Sequence, residues 1–138
     1  MHDETSKELR TTLTSAGKLE LSIVTVPMPE PREGEVLVKV EASPINPSDL
    51  GLLLGPADVS SLSITGSGDD TVASMDVPEA MMPAMQARLD AALPVGNEGA
   101  GVVIAAGAGA EHLVGQTIGV AGGAMYSQYR CVPAASCI

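Results

Sequence analysis

Phenylalanine and tryptophan are absent from this 138-residue chain, and tyrosine occurs only twice. The core must therefore be aliphatic, drawn from Val, Leu, Ile, Ala and seven Met. Such side chains suit the pleated surface of a β-sheet, where β-branched residues pack well. Basic residues are also scarce: seven Lys and Arg face seventeen Asp and Glu, for a formal net charge of −10. That balance argues against nucleic acid as a partner, because binding it replaces counterions with Lys and Arg along the phosphates. No basic cluster would hold the chain on an anionic membrane surface, and no apolar run is long enough to span a bilayer. The start, Met1-His2-Asp3-Glu4-Thr5-Ser6-Lys7-Glu8, lacks the apolar stretch of a signal peptide, so a cytoplasmic location is expected. Cys131 and Cys137 make no disulfide framework and are expected to stay reduced. His2 and His112 are too far apart to offer a ligand spacing.

What is plentiful is turn chemistry. Fifteen Gly and ten Pro imply many short elements, and 138 residues suit one domain that buries roughly two thirds of its unfolded surface. Residues 1–17 are polar without a clear period and are expected to be a loose arm or an early edge strand. Leu19, Leu21, Ile23 and Thr25 alternate with Glu20, Ser22 and Val24, which predicts a half-buried strand ended by Pro27, Pro29 and Pro31. Glu35 to Ala42 is a second strand, with Val36, Val38 and Val40 on one face. Ser48-Asp49 is placed to cap a short helical turn over Leu50–Leu54. Gly55 to Asp76, rich in Ser, Gly, Asp and Thr, reads as a solvated loop. Pro78 to Leu93 reads as a helix with Met82, Met85, Leu89 and Ala92 on its apolar face, starting near Ala80 so that Pro83 falls in its first turn. Gly99–Ala106 reads as a strand buried on both faces, followed by short strands at Thr117–Val120 and Tyr126–Val132. The order predicts a mostly β domain with one or two helices, as a small antiparallel barrel.

Four stretches, in order, carry a family resemblance. Glu35-Val36-Leu37-Val38-Lys39-Val40-Glu41-Ala42-Ser43-Pro44-Ile45-Asn46-Pro47-Ser48-Asp49 closely resembles the opening of quinone oxidoreductases and enoyl-thioester reductases of the medium-chain dehydrogenase/reductase superfamily. Pro94-Val95-Gly96-Asn97-Glu98-Gly99-Ala100-Gly101-Val102-Val103 looks like their second signature. Val114-Gly115-Gln116-Thr117-Ile118-Gly119-Val120 and Gly123-Ala124-Met125-Tyr126-Ser127-Gln128-Tyr129 are similar to a barrel turn and a later strand of that family. The resemblance implies a GroES-like, partly open β-barrel over residues 18–138, with a loop-plus-helix insertion at 55–94. It also implies that the Rossmann domain, which follows in the family and holds the cofactor, is absent, so that the chain alone is expected to be inactive.

The resemblance further implies the substrate-binding half of an NADP- or NAD-dependent oxidoreductase that reduces a quinone, an enone or a related carbonyl. Where zinc-bearing relatives place Cys and His ligands, this chain has Asn46-Pro47-Ser48-Asp49 and Gly96-Asn97-Glu98, which implies a zinc-independent branch. No Tyr lies between Asp49 and Gly99, so the tyrosine proton donor of the enoyl reductases has no counterpart here.

Asn46 and Ser48 are the candidate catalytic and cofactor-facing residues, able to donate to a developing oxyanion, although Asn and Ser beside prolines also simply stabilise turns. Asp49, Asn97, Glu98 and Tyr126 are the candidate substrate-binding residues. For Asp49 the alternative is a helix cap. For Glu98 the two readings are a buried acid of raised pKa and a partner for backbone amides at a strand entry. For Tyr126 the alternative is a core tyrosine with a bonded hydroxyl. Gly107-Ala108-Gly109 matches only part of a dinucleotide-binding loop and is read as a tight turn. The expected partners are a small-molecule substrate and a nicotinamide cofactor, with a homodimer left open. The competing reading is a free-standing, non-catalytic GroES-like binding or assembly module.

Overall fold

A computed structural model describes residues 4–138 and divides them into two compact units. Met1, His2 and Asp3, part of the expected N-terminal arm, lie outside the described residues. The first unit gathers the described residues up to Glu8, Thr25–Ile45 and Gly96–Ile138; the second gathers Leu9–Val24 and Asn46–Val95. The strands form two antiparallel sheets, and neither closes on itself, so the mostly β, partly open architecture expected from the sequence stands.

The sheet of the first unit is built on β3 (Glu35–Ala42), which the turn at Glu33-Gly34 and the breaks at Pro44 and Pro47 delimit as the sequence predicts. β3 pairs with β7 (Glu98–Ala106) on one side and β9 (Tyr129–Pro133) on the other, and β8 (Thr117–Ala121) completes the order β8-β7-β3-β9. Val36, Val38, Val103, Ile118, Val120, Met125 and Val132 form its core, aliphatic as the composition requires. Two readings change here. β7 is not buried on both faces: Val103 is 1% exposed but Ile104 is 44% exposed. The last strand begins at Tyr129, and Tyr126 sits in the bend before it.

The five-stranded sheet runs β4-β5-β2-β1-β6, with β1 at Thr5–Leu13, β2 at Lys18–Pro27, β4 at Asp58–Thr65, β5 at Val72–Asp76 and β6 at Leu93–Pro94. β1 lies between β2 and β6, so it is neither the loose arm nor the edge strand that the sequence left open. Its alternation is hard to read because the buried positions include Ser6 and Thr11. These polar groups are satisfied: Ser6 Oγ accepts the Tyr129 N–H at 3.2 Å, and the Thr11 hydroxyl donates to the Leu52 carbonyl at 2.8 Å.

The region expected to be a solvated loop, Gly55 to Asp76, is a hairpin of β4 and β5, with Ile64 opposite Ala73 and Thr65 opposite Val72. Ser61, Ser63 and Thr65 alternate with Leu62 and Ile64, but every residue of β4 except Ser61 is exposed. Pairing with β5 and not a buried face makes this segment a strand, and composition alone assigns it to a loop.

The helix expected over 78–93 is also corrected. Glu79–Arg88 is a 3₁₀ helix with Pro83 inside it, and Leu89 and Asp90 leave the helical region, the latter at φ 58. Proline removes an N–H in mid-element, and this sequence cannot hold α geometry across it. Met82, Met85 and Leu89 nevertheless pack on the buried cluster Leu13, Leu19, Met75 and Val77, as their spacing predicts, whereas Ala92 is exposed.

Candidate functional site

In the second unit the candidate residues occupy a 3₁₀ turn, Pro47–Asp49, that runs into a one-turn helix α1 (Leu50–Leu53). Asn46 is extended at φ −90 and ψ 157, as the residue before a proline should be. Asp49 is 2% exposed, and its Oδ2 accepts the Asn46 N–H at 2.8 Å while its own N–H donates to the Asn46 carbonyl at 2.9 Å. Asp49 therefore closes backward on Asn46 in a capping box and makes no side-chain cap to α1, which corrects the forward-capping expectation. The arrangement fixes Asn46 in one backbone geometry. Ser48 is exposed in the middle of the turn.

In the first unit, Gly96-Asn97-Glu98-Gly99 enters β7. Gly96 has φ +103, and a Cβ there would lie 2.6 Å from the Tyr126 ring. The ring therefore packs directly on glycine backbone, and its hydroxyl donates to the Pro44 carbonyl at 2.8 Å. Tyr126 thus has the bonded hydroxyl that was its alternative reading. Asn97 is exposed, and its carbonyl accepts the Gly122 N–H at 2.8 Å. Glu98 is exposed as well, so the buried-acid reading is overturned: the apolar residues that follow it in β7 do not enclose the strand's entry.

Glu98 lines a pocket of about 500 Å³ together with Ser43, Pro44, Gly99, Val120 and Ile138, all within this unit. Ser43 was missed by sequence reasoning. Its hydroxyl donates to the Met125 carbonyl at 2.9 Å, and a Cβ on Gly99 would lie 2.8 Å from its Oγ. The available signal was glycine inside a strand, which marks a close approach.

The glycine turn after β7 does not fit a dinucleotide pyrophosphate. Such a site needs free backbone N–H groups at a helix start. Here the Gly107 N–H donates to the Glu35 carbonyl at 2.8 Å and the Gly109 N–H to Glu111 Oε2 at 2.8 Å. The Ala110 N–H donates to the Gly107 carbonyl at 3.1 Å. The turn is closed on itself, with a carboxylate where a phosphate would stand. Among the described residues no group of three or more His, Cys, Asp or Glu is placed to hold a metal ion. No helix among them is long and apolar enough to cross a membrane. The Cys131 and Cys137 thiols are free, and burial pushes both above the ordinary thiol pKa.

Comparison with known proteins places this geometry. A quinone oxidoreductase of Coxiella burnetii superposes on 98% of the chain, with a TM-score of 0.59 at 19% identity. The chain shares the fold of part of that protein. A mycobacterial protein solved with NADPH shares it over 96% of the chain (TM-score 0.56, 21% identity), as does a thermostable alcohol dehydrogenase of Pyrobaculum aerophilum over 96% (0.56, 19%). A zinc-type alcohol dehydrogenase-like protein of Schizosaccharomyces pombe is 59% identical over 34 residues, which are 25% of this chain and 10% of that protein. No protein-family model matches the chain. The chain spans 37%, 31% and 40% of the three solved proteins.

Proposed function

We propose that this chain is the substrate-binding part of an NAD(P)H-dependent, zinc-independent oxidoreductase that reduces a quinone, an enone or a related carbonyl. The observation that carries the reading is the buried Asn46–Asp49 capping box in a chain that shares the fold of part of a quinone oxidoreductase. The buried Asp49 carboxylate holds the backbone of the turn that carries Asn46 and Ser48, whose side chains are the donors in this reading. Reduction of a carbonyl or quinone develops negative charge on oxygen, and fixed N–H and O–H donors stabilise that charge without reorganisation.

In this reading Asn46 and Ser48 bind and orient the acceptor oxygen and face the nicotinamide. Asp49 positions Asn46, and Asn97, Glu98 and Tyr126 shape the substrate's surroundings. The cofactor supplies the hydride, and its phosphates are held by residues other than the closed Gly107–Ala110 turn. By itself the chain does not turn over; it works in the cytoplasm as part of a longer enzyme.

The test is NADPH and NADH oxidation with quinones and enones, by the chain alone and joined to the cofactor-binding domain of its own coding sequence. Activity is expected only in the joined form. Asn46→Ala and Ser48→Ala should each lower kcat by about a hundredfold, the usual effect of losing one oxyanion donor. Undiminished turnover in both variants removes the site assignment.

A further inference from the structure

A second groove, of about 610 Å³, opens within the second unit, where the turn between β1 and β2 adjoins the end of β5 and the 3₁₀ helix. Its volume is that of a small-molecule site. Val77, Met82 and Leu89 give it an apolar wall continuous with the buried cluster around Leu19 and Met75. Lys18, Asp76 and Glu79 stand at its rim. Lys18 Nζ pairs with Asp76, but the two side chains are 52% and 57% exposed. An ion pair this open adds little and is readily exchanged for another cation. Glu79, exposed and in no ion pair among the described residues, is a second carboxylate lining the same groove.

We propose that this groove binds a small amphipathic amine. Its hydrocarbon chain lies on Val77, Met82 and Leu89, and its ammonium group takes the place of Lys18 beside Asp76, with Glu79 as the second carboxylate of the groove. The methionine adapts its unbranched side chain to the hydrocarbon. A fatty acid of the same length would place its carboxylate against two others, and a neutral alcohol would have no use for them. None of the groove's residues is among those assigned to the acceptor, so the two readings stand or fall separately.

Titration of the full chain with n-octylammonium, octanoate and 1-octanol below their aggregation concentrations, followed by backbone amide chemical shifts, tests this. Octylammonium should saturate with shifts centred on Gly17, Val77 and Leu89, and should weaken as salt is added. Glu79→Gln should weaken it about fivefold and Lys18→Gln should tighten it about fivefold, the scale of an exposed charge pair. Both positions are exposed, so neither variant endangers folding. Octanol or octanoate binding as tightly, shifts centred elsewhere, or weaker binding after Lys18→Gln would each overturn the proposal.

Discussion

A methyl group at position 101 would sit 2.0 Å from the Lys39 carbonyl oxygen, inside the β3–β7 pairing. Gly101→Ala must therefore push apart the two central strands of the four-stranded sheet, at a cost of about 3 kcal/mol. Gly119→Ala, in the neighbouring β8 with open space around it, should leave stability within about 0.5 kcal/mol. Urea unfolding of the two variants makes the comparison.

The two thiols offer a second check at this scale. Burial is the leading cause that raises Cys131 and Cys137. The folded state thus holds their protons to higher pH than the unfolded chain does. Their contribution to stability is constant below pH 9 and falls as pH rises beyond it, since the unfolded chain ionises first. Alkylation by iodoacetamide at pH 8 should be slower in the folded chain than in urea, because the thiolate is the reacting form.

At the scale of elements, the strand β4 lies at the edge of its sheet, with Val59, Leu62 and Ile64 each more than half exposed and no charge between Asp58 and Asp69. Edges of this kind invite pairing between chains. Ile64→Lys should leave the unfolding midpoint nearly unchanged while reducing aggregation seen by light scattering on heating.

This hairpin is also where the sequence was least legible. β3 and β7 announce themselves through runs of Val and Ile set between turn residues, and their limits are readable to within a residue. β1 and β4 are rich in Ser and Thr; in β1 their burial depends on partners distant in sequence, Leu52 for Thr11 and Tyr129 for Ser6, and β4 is a strand only through its hairpin pairing with β5. The Met82, Met85, Leu89 spacing correctly foretold the packed face, but Pro83 decided the helix type. At the candidate site the residue types were readable and the directions of their bonds were not. That Asp49 reaches back to Asn46 instead of forward to α1 follows from the dihedral angles of the turn, which spacing does not encode.

Across the whole molecule, seventeen acids and seven bases leave a charge of −10 on a 14.0 kDa chain. Like charges on this scale repel one another in the compact state. Screening shortens their reach from about 30 Å at 0.01 M ionic strength to about 3 Å at 1 M. The melting temperature should therefore rise by several degrees between low salt and 0.5 M sodium chloride, as differential scanning calorimetry would record. A flat response would mean that repulsion among the excess acids costs the folded state no more than the unfolded one.

With tryptophan absent, the phenol ring that rests on Gly96 and is tethered to Pro44 has no indole to drain its excited state. Only Tyr129 shares the ultraviolet emission of this protein. Replacing Tyr129 with phenylalanine would leave a single native fluorophore beside the pocket of Glu98 and Ser43, so that occupancy of that pocket could be followed by light alone, without a label.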